Sequence, residues 1–253
     1  MIIQNETDLA GIRKIGQIVA LARDEMAKQV VPGITTQELD KLCGEIFKAH
    51  GAISAPASQY NFPGESCISV NEVCAHGIPG NYIVKNQDFV NIDVSASLDG
   101  YFADTGITVV CGTPDLKQSD MMRVSREALT AGIKAAKIGG STAGIGRAIY
   151  KQAVQNNYTV LRNLTGHGIG KALHEDPHYI YNYGEKHGAA IIKDGQVLAI
   201  ETFLSDGDEW VEENDAGIWE LRTENRSQIV QYEHTIIVSK QGNIIVTATD
   251  YFG

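Results

Sequence analysis

The chain has 253 residues, of which 43% are hydrophobic and 21% are charged, a composition typical of a soluble globular protein with one large domain or two small ones. Its formal net charge of −10 argues against nucleic acid or an anionic membrane as the main partner. The same charge suits a cationic ligand, such as a metal ion or the amino terminus of a peptide.

The sequence shows no sign of membrane insertion or export. No apolar run approaches the roughly 20 residues that span a bilayer. Residues 1–8 lack the basic region and apolar core of a signal peptide. The four cysteines lack C-x-x-C spacing, so we expect reduced thiols and a cytoplasmic protein. A structural zinc on Cys67 and Cys74 is a weaker alternative.

Apolar residues at helical spacing predict four helices. The first covers 7–30, and the second opens at Thr35 and closes at Gly51, with a capping box between Thr35 and Glu38. The third covers 115–137, and Ser141 caps the fourth. Between these helices, 52–65 is predicted as a loop, 67–73 as a strand and 75–80 as a turn.

Residues 88–108, DFVNIDVSASLDGYFADTGIT, predict a β-hairpin that carries two carboxylates. If Leu98 and Asp99 form the loop, Asp93 faces Asp104 directly. If Asp99 and Gly100 form it, the two aspartates are diagonal neighbours. Both registers place the carboxylates on one face, roughly 5–8 Å apart, where they repel each other unless a cation lies between them.

The second half of the chain repeats the plan of the first. Each half has a helix pair followed by a strand, a His-Gly-Ile turn and two acidic residues within strands. The turns contain His76 and His167, and the second acidic pair is Glu201 and Glu233. We therefore predict a single domain over 1–253 with two pseudo-symmetric halves, roughly 1–112 and 113–253.

Four carboxylates inside apolar strands predict a dinuclear metal centre, because two divalent ions balance their charge. The best candidate for a neutral ligand is His167. Such a site suits manganese, iron(II), cobalt or zinc. Two ions held about 3.5–4 Å apart bind a bridging water and lower its pKa, which yields a hydroxide nucleophile aimed at a carbonyl.

The order Asp93, Asp104, His167, Glu201, Glu233 resembles the ligand set of the methionine aminopeptidase/aminopeptidase P/prolidase superfamily. The segments CISVN at 67–71, HGIP at 76–79, NIDV at 91–94 and GHGIG at 166–170 are similar to the type I methionine aminopeptidases. The similarity covers essentially the whole chain. It implies an α+β pita-bread (creatinase/aminopeptidase) fold, with a pseudo-twofold, curved, mixed or antiparallel sheet and helices packed on its outer face.

The resemblance implies a role for each ligand. Asp93 chelates one metal, Asp104 and Glu233 bridge both, and His167 and Glu201 hold the other. Glu201 also moves the proton from the bridging water to the leaving amine.

The resemblance also implies substrate contacts. His76 contacts the backbone nitrogen of the residue after methionine, and His174 polarises the scissile carbonyl and stabilises the oxyanion. Phe62, Cys67 and Trp219 line the pocket for the methionine side chain, where sulfur and aromatic groups suit a thioether.

Some features depart from the family or lie outside its core site. A monovalent-cation site of backbone oxygens is implied near Asn71 and Val73. Thr202 replaces the proline that usually follows the fourth ligand, so we expect a different local backbone there. Leu173 replaces a bulky aromatic residue and softens the pocket wall. The acidic stretch 205–217 is predicted to be a solvated loop that could attract an α-ammonium group.

Two other motifs are weaker alternatives. Residues 174–178 match the H-E-x-x-H zincin pattern, but Pro177 would break the helix that this motif requires. Residues 166–170 lack the full G-x-G-x-x-G spacing of a nucleotide loop. His234 follows Glu233 on a strand, points to the opposite face and is interpreted as structural.

The resemblance implies a methionyl aminopeptidase that removes the N-terminal methionine of nascent proteins and peptides when the next residue is small. An X-Pro aminopeptidase or prolidase is the nearest rival, although those enzymes usually carry an extra domain. A non-catalytic peptide-binding module is a third alternative. We expect a monomer with transient proximity to the ribosome, without direct binding to nucleic acid or membrane.

Overall fold

The computed structural model describes residues 1–213 and 219–252. Within them, pairs of helices are followed by runs of strands in each half of the chain. The helices are α1 (Glu6–Lys28), α2 (Thr36–His50), α3 (Ala55–Tyr60), α4 (Leu116–Ala135) and α5 (Thr142–Gln155). The strands are β1 (Ile53–Ser54), β2 (Cys67–Val70), β3 (Val73–Ala75), β4 (Phe89–Leu98), β5 (Tyr101–Val110), β6 (Thr159–Val160), β7 (Thr165–Gly168), β8 (Glu175–Tyr181), β9 (Val197–Ser205), β10 (Glu212–Glu213), β11 (Leu221–Arg222), β12 (Ile229–Ile237) and β13 (Ile244–Ile245).

The four predicted helices are present as α1, α2, α4 and α5. Thr35 and Glu38 form the predicted capping box of α2, and Gly51 ends that helix with a φ of 71°. A second capping box, not predicted, joins Asp115 and Gln118 at the start of α4. Ser141 occupies the predicted N-cap position of α5, but its side chain makes no capping hydrogen bond.

The prediction of a loop over 52–65 is wrong, because β1 and α3 lie there. The Ser54 side chain caps α3, Pro56 stands in its first turn, and Asn61 ends it with a φ of 57°. A helix of 6 residues is too short to produce an apolar stripe, so only these end signals mark it. The strand predicted over 67–73 is divided into β2 and β3 by a turn at Asn71 (φ 53°).

Every strand pair in the described residues is antiparallel. One sheet has the order β1-β4-β2, with β5 paired to β4, and a second has the order β13-β12-β9-β7-β8, with β6 paired to β9. A small third sheet joins β10, β11 and β3. Helix α1 packs on β4 and β5, and α4 packs on β9 and β12. This confirms the α+β class with helices against the sheets.

The β4–β5 hairpin adopts the diagonal register of the two alternatives. Asp93 pairs with Gly106, and Ser95 pairs with Asp104. The turn residues Asp99 and Gly100 have φ values of 53° and 79°, the left-handed conformation that a two-residue hairpin turn needs. The turn geometry therefore sets the register that separates the two aspartates along the sheet.

Threonine side chains join the two main sheets. Between β5 and β12, which the described residues do not pair through a backbone ladder, Thr235 Oγ1 accepts from Asp104 N (2.9 Å) and donates to Asp104 O (2.7 Å). Thr105 Oγ1 donates to Glu233 O (3.0 Å), and Thr108 Oγ1 donates to Gln231 O (2.8 Å). We call this the threonine-bridged seam (Thr105, Thr108 and Thr235). It places Asp104 and Glu233 side by side.

The two halves share the same local hydrogen-bonding arrangement at the starts of α2 and α5. An isolated bridge joins Thr35 to Ile83 before α2, and another joins Ser141 to Ile191 before α5. In addition, the Thr36 hydroxyl accepts from Gly80 N, and the Thr142 hydroxyl accepts from Ala190 N. These parallels fit the predicted pseudo-symmetry. The pseudo-twofold relation and the single-domain boundaries stay predictions.

A buried ion pair connects α1 to the seam. Arg23 is fully buried, and its guanidinium donates to Asp24 Oδ1 (2.6 Å) and Thr105 Oγ1 (2.6 Å). It also donates to Thr247 O (3.1 Å) and lies 4.8 Å from the centroid of the Phe252 ring. Arg23 therefore connects three parts of the chain that are distant in sequence.

Arg23→Met is expected to lower the free energy of unfolding by about 3–5 kcal/mol, because it leaves the Asp24 carboxylate buried without its cation. Denaturant unfolding measures the loss. Lys14→Met on the same helix is the matched control, since Lys14 reaches Asp99 only through an exposed 3.5 Å ion pair. Such a pair contributes at most about 1 kcal/mol. Equal losses in both variants would contradict the structural role of Arg23.

No helix among the described residues has the length and hydropathy that crossing a membrane requires.

Candidate metal centre and active site

All ten residues expected to bind metal or substrate line one cavity of about 400 Å³. They are contributed by both main sheets and by the loops beside them. The set comprises Phe62, Cys67, His76, Asp93, Asp104, His167, His174, Glu201, Trp219 and Glu233. The sequence therefore identified residues that the fold brings together from distant positions.

The five expected ligands project from strands. Asp93 and Asp104 come from β4 and β5, and Glu201 lies directly opposite Glu233 in the β9–β12 ladder. His167 Nε2 is 3.9 Å from Asp104 Oδ2 and 3.9 Å from Glu201 Oε1. Ligand atoms of Asp104, His167 and Glu233 lie within 4.8 Å of one another, a spacing that one cation can bridge.

His167 presents a free ring nitrogen to these carboxylates. Its Nδ1 is 3.0 Å from Gly168 O, so Nδ1 carries the hydrogen and Nε2 keeps a lone pair. Burial, followed by the nearby His174, lowers the pKa of His167 to about 3. A neutral imidazole with an outward lone pair is the form that binds a metal ion.

Glycines on both sides of His167 let β7 fit between its neighbours. A Cβ on Gly166 would lie too close to Ala199 O of β9, and one on Gly168 would overlap Asp176 O of β8. Residues 166–168 of the GHGIG motif are thus part of a closely packed strand, so His167 lies in β7 rather than in the predicted turn.

Gly168→Ala is expected to destabilise the protein by about 1–3 kcal/mol, because the backbone of β8 or β7 must move to admit the methyl group. The movement also displaces His167, so metal affinity falls together with Tm. Gly80→Ala is the control, since the nearest atom to a Cβ there is 4.0 Å away. Thermal unfolding and metal titration of both variants test this expectation. Unchanged metal affinity in Gly168→Ala would contradict it.

Burial makes the carboxylates costly to ionise without a cation. It raises the pKa of Asp93 to about 6, and it raises those of Asp104, Glu201 and Glu233 well above their usual range, with mutual repulsion adding to the effect. Within the described part of the chain, Asp104 Oδ1 and Glu233 Oε1 are buried without a hydrogen-bond partner. Unpartnered buried carboxylate oxygens beside a neutral imidazole are the donor set that a divalent ion satisfies, so the residues fit a metal.

His76 and His174 line the cavity and belong to two loops. His76 follows β3 with a φ of 55°, a conformation that is rare outside glycine and found at functional sites. The ring of His174 is 4.2 Å from that of His167. The surrounding protein desolvates both rings and lowers the pKa of each, so both are neutral donors at neutral pH.

The expected methionine pocket forms one wall of the cavity. Phe62 and Trp219 meet edge to face with centroids 5.4 Å apart. Cys67 is buried and pairs with Asp93 across β2 and β4, and burial raises the pKa of its thiol well above the usual range. A protonated thiol packs as a small apolar group. Leu173 completes the apolar lining.

The sequence interpretation missed two polar residues of the site. Gln231 is buried, donates to Glu233 Oε2 (3.1 Å) and accepts from Asn91 (2.7 Å). Its position two residues before Glu233 on the same strand face was an available signal. Tyr60 contacts His174 at 2.6 Å. It lies in the segment predicted as a loop, so no pattern indicated its direction.

The structure shows the local backbone at Thr202, where the sequence departs from the family pattern, and at the H-E-x-x-H motif of residues 174–178. Strand β9 continues through Thr202 to Ser205, and the buried Thr202 hydroxyl lies 2.9 Å from Ser125 Oγ, so the backbone at Thr202 is part of a regular strand. Residues 175–181 form a strand, which excludes the helical zincin motif, and His178 lies in that strand.

Three further predictions concern the monovalent cation, the cysteines and the acidic stretch 205–217. Asn71 and Val73 line a separate depression, and the monovalent-cation site there stays a prediction. The four cysteines are free and buried, as expected for reduced thiols. In the acidic stretch, hydrogen bonds led by Asn225 lower the pKa of Asp208 to about 2, and Glu209 binds Arg162 (2.8 Å). Residues 214–217 of this stretch lie outside the described residues.

His234 is structural, as interpreted. It is buried on the β12 face away from the cavity, with Nδ1 2.8 Å from Thr247 Oγ1 and its ring stacked on Phe252 at 4.2 Å.

The sequence of residues 10–240 matches the model of metallopeptidase family M24. The chain belongs to this family. It is 44% identical over 252 residues to a methionine aminopeptidase of Staphylococcus epidermidis, covering 99% of this chain and 100% of that one. It is 43% identical over 248 residues to methionine aminopeptidase 2 of Bacillus subtilis, covering 98% and 99% respectively.

Solved structures confirm the pita-bread fold of this M24 chain. The crystal structure of a methionine aminopeptidase from Rickettsia prowazekii superposes with a TM-score of 0.92 at 36% identity and covers 98% of this chain and 100% of that one. A prolidase from Pyrococcus furiosus has a TM-score of 0.78 at 22% identity, which shows the fold alone. This chain covers 66% of that prolidase, so the M24 unit here corresponds to part of a larger protein there.

Proposed function

We propose that this M24 chain is a methionyl aminopeptidase that removes the N-terminal methionine from proteins and peptides when the next residue is small. The observation that carries the proposal is the cluster of Asp104, His167 and Glu233, set beside an apolar pocket of Phe62 and Trp219. The full-length similarity to methionine aminopeptidases supports the substrate.

The carboxylates and His167 would hold divalent ions of the manganese, iron(II), cobalt or zinc class. We propose two ions, because four carboxylates around one ion would keep a net negative charge in a buried site. Bound there, the ions supply a water of lowered pKa as the nucleophile. Asp93 would hold one ion, His167 and Glu201 the other, and Asp104 and Glu233 both.

The remaining side chains would bind the substrate and move protons. The pocket of Phe62, Cys67 and Trp219 holds the thioether side chain. His76 contacts the backbone nitrogen of the residue after methionine, and His174 donates a hydrogen bond to the scissile carbonyl oxygen as it gains negative charge. Glu201 takes a proton from the attacking water and delivers it to the leaving amine.

We further propose a cytoplasmic monomer with the whole chain as one catalytic domain. Its partners are the amino termini of peptides and nascent proteins, which implies transient proximity to the ribosome. Direct binding to nucleic acid or membrane is not expected, given the net charge of −10.

Release of methionine from Met-Ala-Ser with manganese or cobalt tests the function. A chelator should stop the reaction, and His174→Asn should slow it strongly in the same metal. An X-Pro dipeptide is assayed in parallel. Cleavage of the X-Pro substrate alone would indicate a prolidase-like activity, and no cleavage by metal-loaded protein would favour a peptide-binding module.

A further inference from the structure

Tyr60 makes a short polar contact with His174. Its hydroxyl oxygen is 2.6 Å from His174 Nδ1, and the two ring centroids are 5.7 Å apart at 58°. Tyr60 is the last residue of α3, and His174 immediately precedes β8, so the contact joins segments that are 114 residues apart. Both side chains line the cavity.

One hydrogen lies between these two atoms, and their separation of 2.6 Å indicates which of them donates it. Hydrogen bonds donated by a ring N–H to oxygen typically span about 2.7–3.2 Å, whereas those donated by a hydroxyl are shorter, so the phenol is the donor. A phenol that donates to Nδ1 leaves the single imidazole hydrogen on Nε2.

Both partners are held in place by their own segments. Ser54 caps the start of α3, and Asn61 ends it in the left-handed conformation, which fixes Tyr60 at the final turn. On the other side, Glu175 Oε1 accepts from Lys171 N (2.5 Å) and Ala172 N (2.8 Å) and so holds the loop that carries His174. The hydrogen bond therefore joins two restrained elements.

We propose that Tyr60 is a positioning residue that fixes His174 as the Nε2–H tautomer and aims this N–H at the scissile carbonyl oxygen. The inference rests on the proposed function for the identity of the acceptor. His174 can donate to the carbonyl only through Nε2, since Nδ1 is engaged by the tyrosine. A carboxylate or backbone carbonyl accepts the Nδ1–H in other histidine sites and leaves a lone pair on Nε2, whereas the tyrosine donates to Nδ1 and therefore selects the opposite tautomer.

Tyr60→Phe removes one hydroxyl and keeps the ring. We expect kcat for Met-Ala-Ser to fall about 10-fold, with KM changed less than about 2-fold, which is the low end of the 10- to 100-fold that hydrogen-bonded partners of metal-bound histidines typically contribute. Tyr179→Phe is the matched control, because Tyr179 is exposed on β8 and lies in a different surface depression. It should leave kcat and KM unchanged. Thermal unfolding verifies that both variants are folded.

The tautomer is measured independently of activity. Two-bond ¹H–¹⁵N spectra of metal-free, ¹⁵N-histidine-labelled protein at neutral pH should show a protonated Nε2 and an unprotonated, hydrogen-bonded Nδ1 for His174. His174→Asn assigns these signals. In Tyr60→Phe we expect both nitrogens to move towards the averaged shifts of a mixed tautomer.

Each outcome is decisive. A hydrogen on Nδ1 of His174 in the unsubstituted protein overturns the proposal, and so does an unchanged kcat in Tyr60→Phe. A raised KM with unchanged kcat would make Tyr60 a substrate contact instead. If the unsubstituted, metal-loaded protein releases no methionine, the proposed function fails, and the spectra still decide the tautomer that Tyr60 selects.

Discussion

Asp104→Asn is expected to lower methionine release by more than about 1,000-fold, because the substitution removes a negative charge from the centre of the cluster and keeps its shape. Asp104 belongs to the group whose ligand atoms lie within 4.8 Å of one another. Charge stabilisation by metal ions in such sites contributes several kcal/mol, and each 1.36 kcal/mol is about tenfold in rate. Initial rates with saturating manganese measure the effect.

The same variant should make the metal-free protein more stable. Burial and the neighbouring carboxylates raise the pKa of Asp104, so its ionised form opposes folding at neutral pH. We expect an increase of about 1–2 kcal/mol, or about 2–8 °C in Tm for a chain of this size. Asp99→Asn, in the exposed hairpin turn, is the control and should change neither quantity. A metal-free Asp104→Asn protein that is less stable than the unsubstituted one would contradict the electrostatic argument.

Removal of the metal is expected to destabilise the protein more at high pH than at low pH. The unfolded carboxylates ionise near pH 4, whereas in the folded, metal-free protein Asp93 ionises at about 6 and Asp104, Glu201 and Glu233 well above their usual range. A raised carboxyl pKa gives stability that is complete below the unfolded value and is lost as pH rises through the folded value. Bound cations remove this loss by compensating the charges.

Thermal unfolding with a chelator and with manganese, at about pH 5, 6.5 and 8, tests this expectation. We expect the difference in Tm to grow by about 5 °C or more across this range. Groups outside the centre titrate in both series and cancel in the difference. Asp104→Asn provides the matched variant, since fewer buried carboxylates should give a smaller change with pH. A difference that stays constant with pH would show that the centre is not proton-linked.

The parts of the fold that sequence could predict are those marked by strong local patterns. Apolar stripes and end signals located α1, α2, α4 and α5, and the Asp99-Gly100 turn located the hairpin. The candidate ligands stood out in the sequence because ionised carboxylates inside apolar strands require a compensating charge. The register of the hairpin stayed open, since two turn definitions fit the same residues, and only the turn geometry separates them.

Contacts between distant segments could not be predicted in this way. The threonine-bridged seam replaces a backbone ladder with side-chain hydroxyls, and threonine in a strand carries no signal of that use. Tyr60 reaches His174 from a helix of 6 residues that lacks periodicity. Gln231 could be recognised as a residue of the site only once the face of its strand was known. The features that the sequence did not predict are therefore those whose role depends on tertiary packing.

The seam also makes the candidate metal centre depend on contact between the two main sheets. Asn91 and Gln231 bond across the two sheets and are 140 residues apart in sequence. Because the expected ligands belong to β4, β5, β7, β9 and β12, the first hairpin alone holds two repelling aspartates and no complete cation site. The seam brings Glu233 beside Asp104, and the sheet that carries Glu233 also supplies His167 and Glu201. High metal affinity should therefore require both sheets together, and a cut between the hairpin and α4 should abolish it unless the two fragments reassemble.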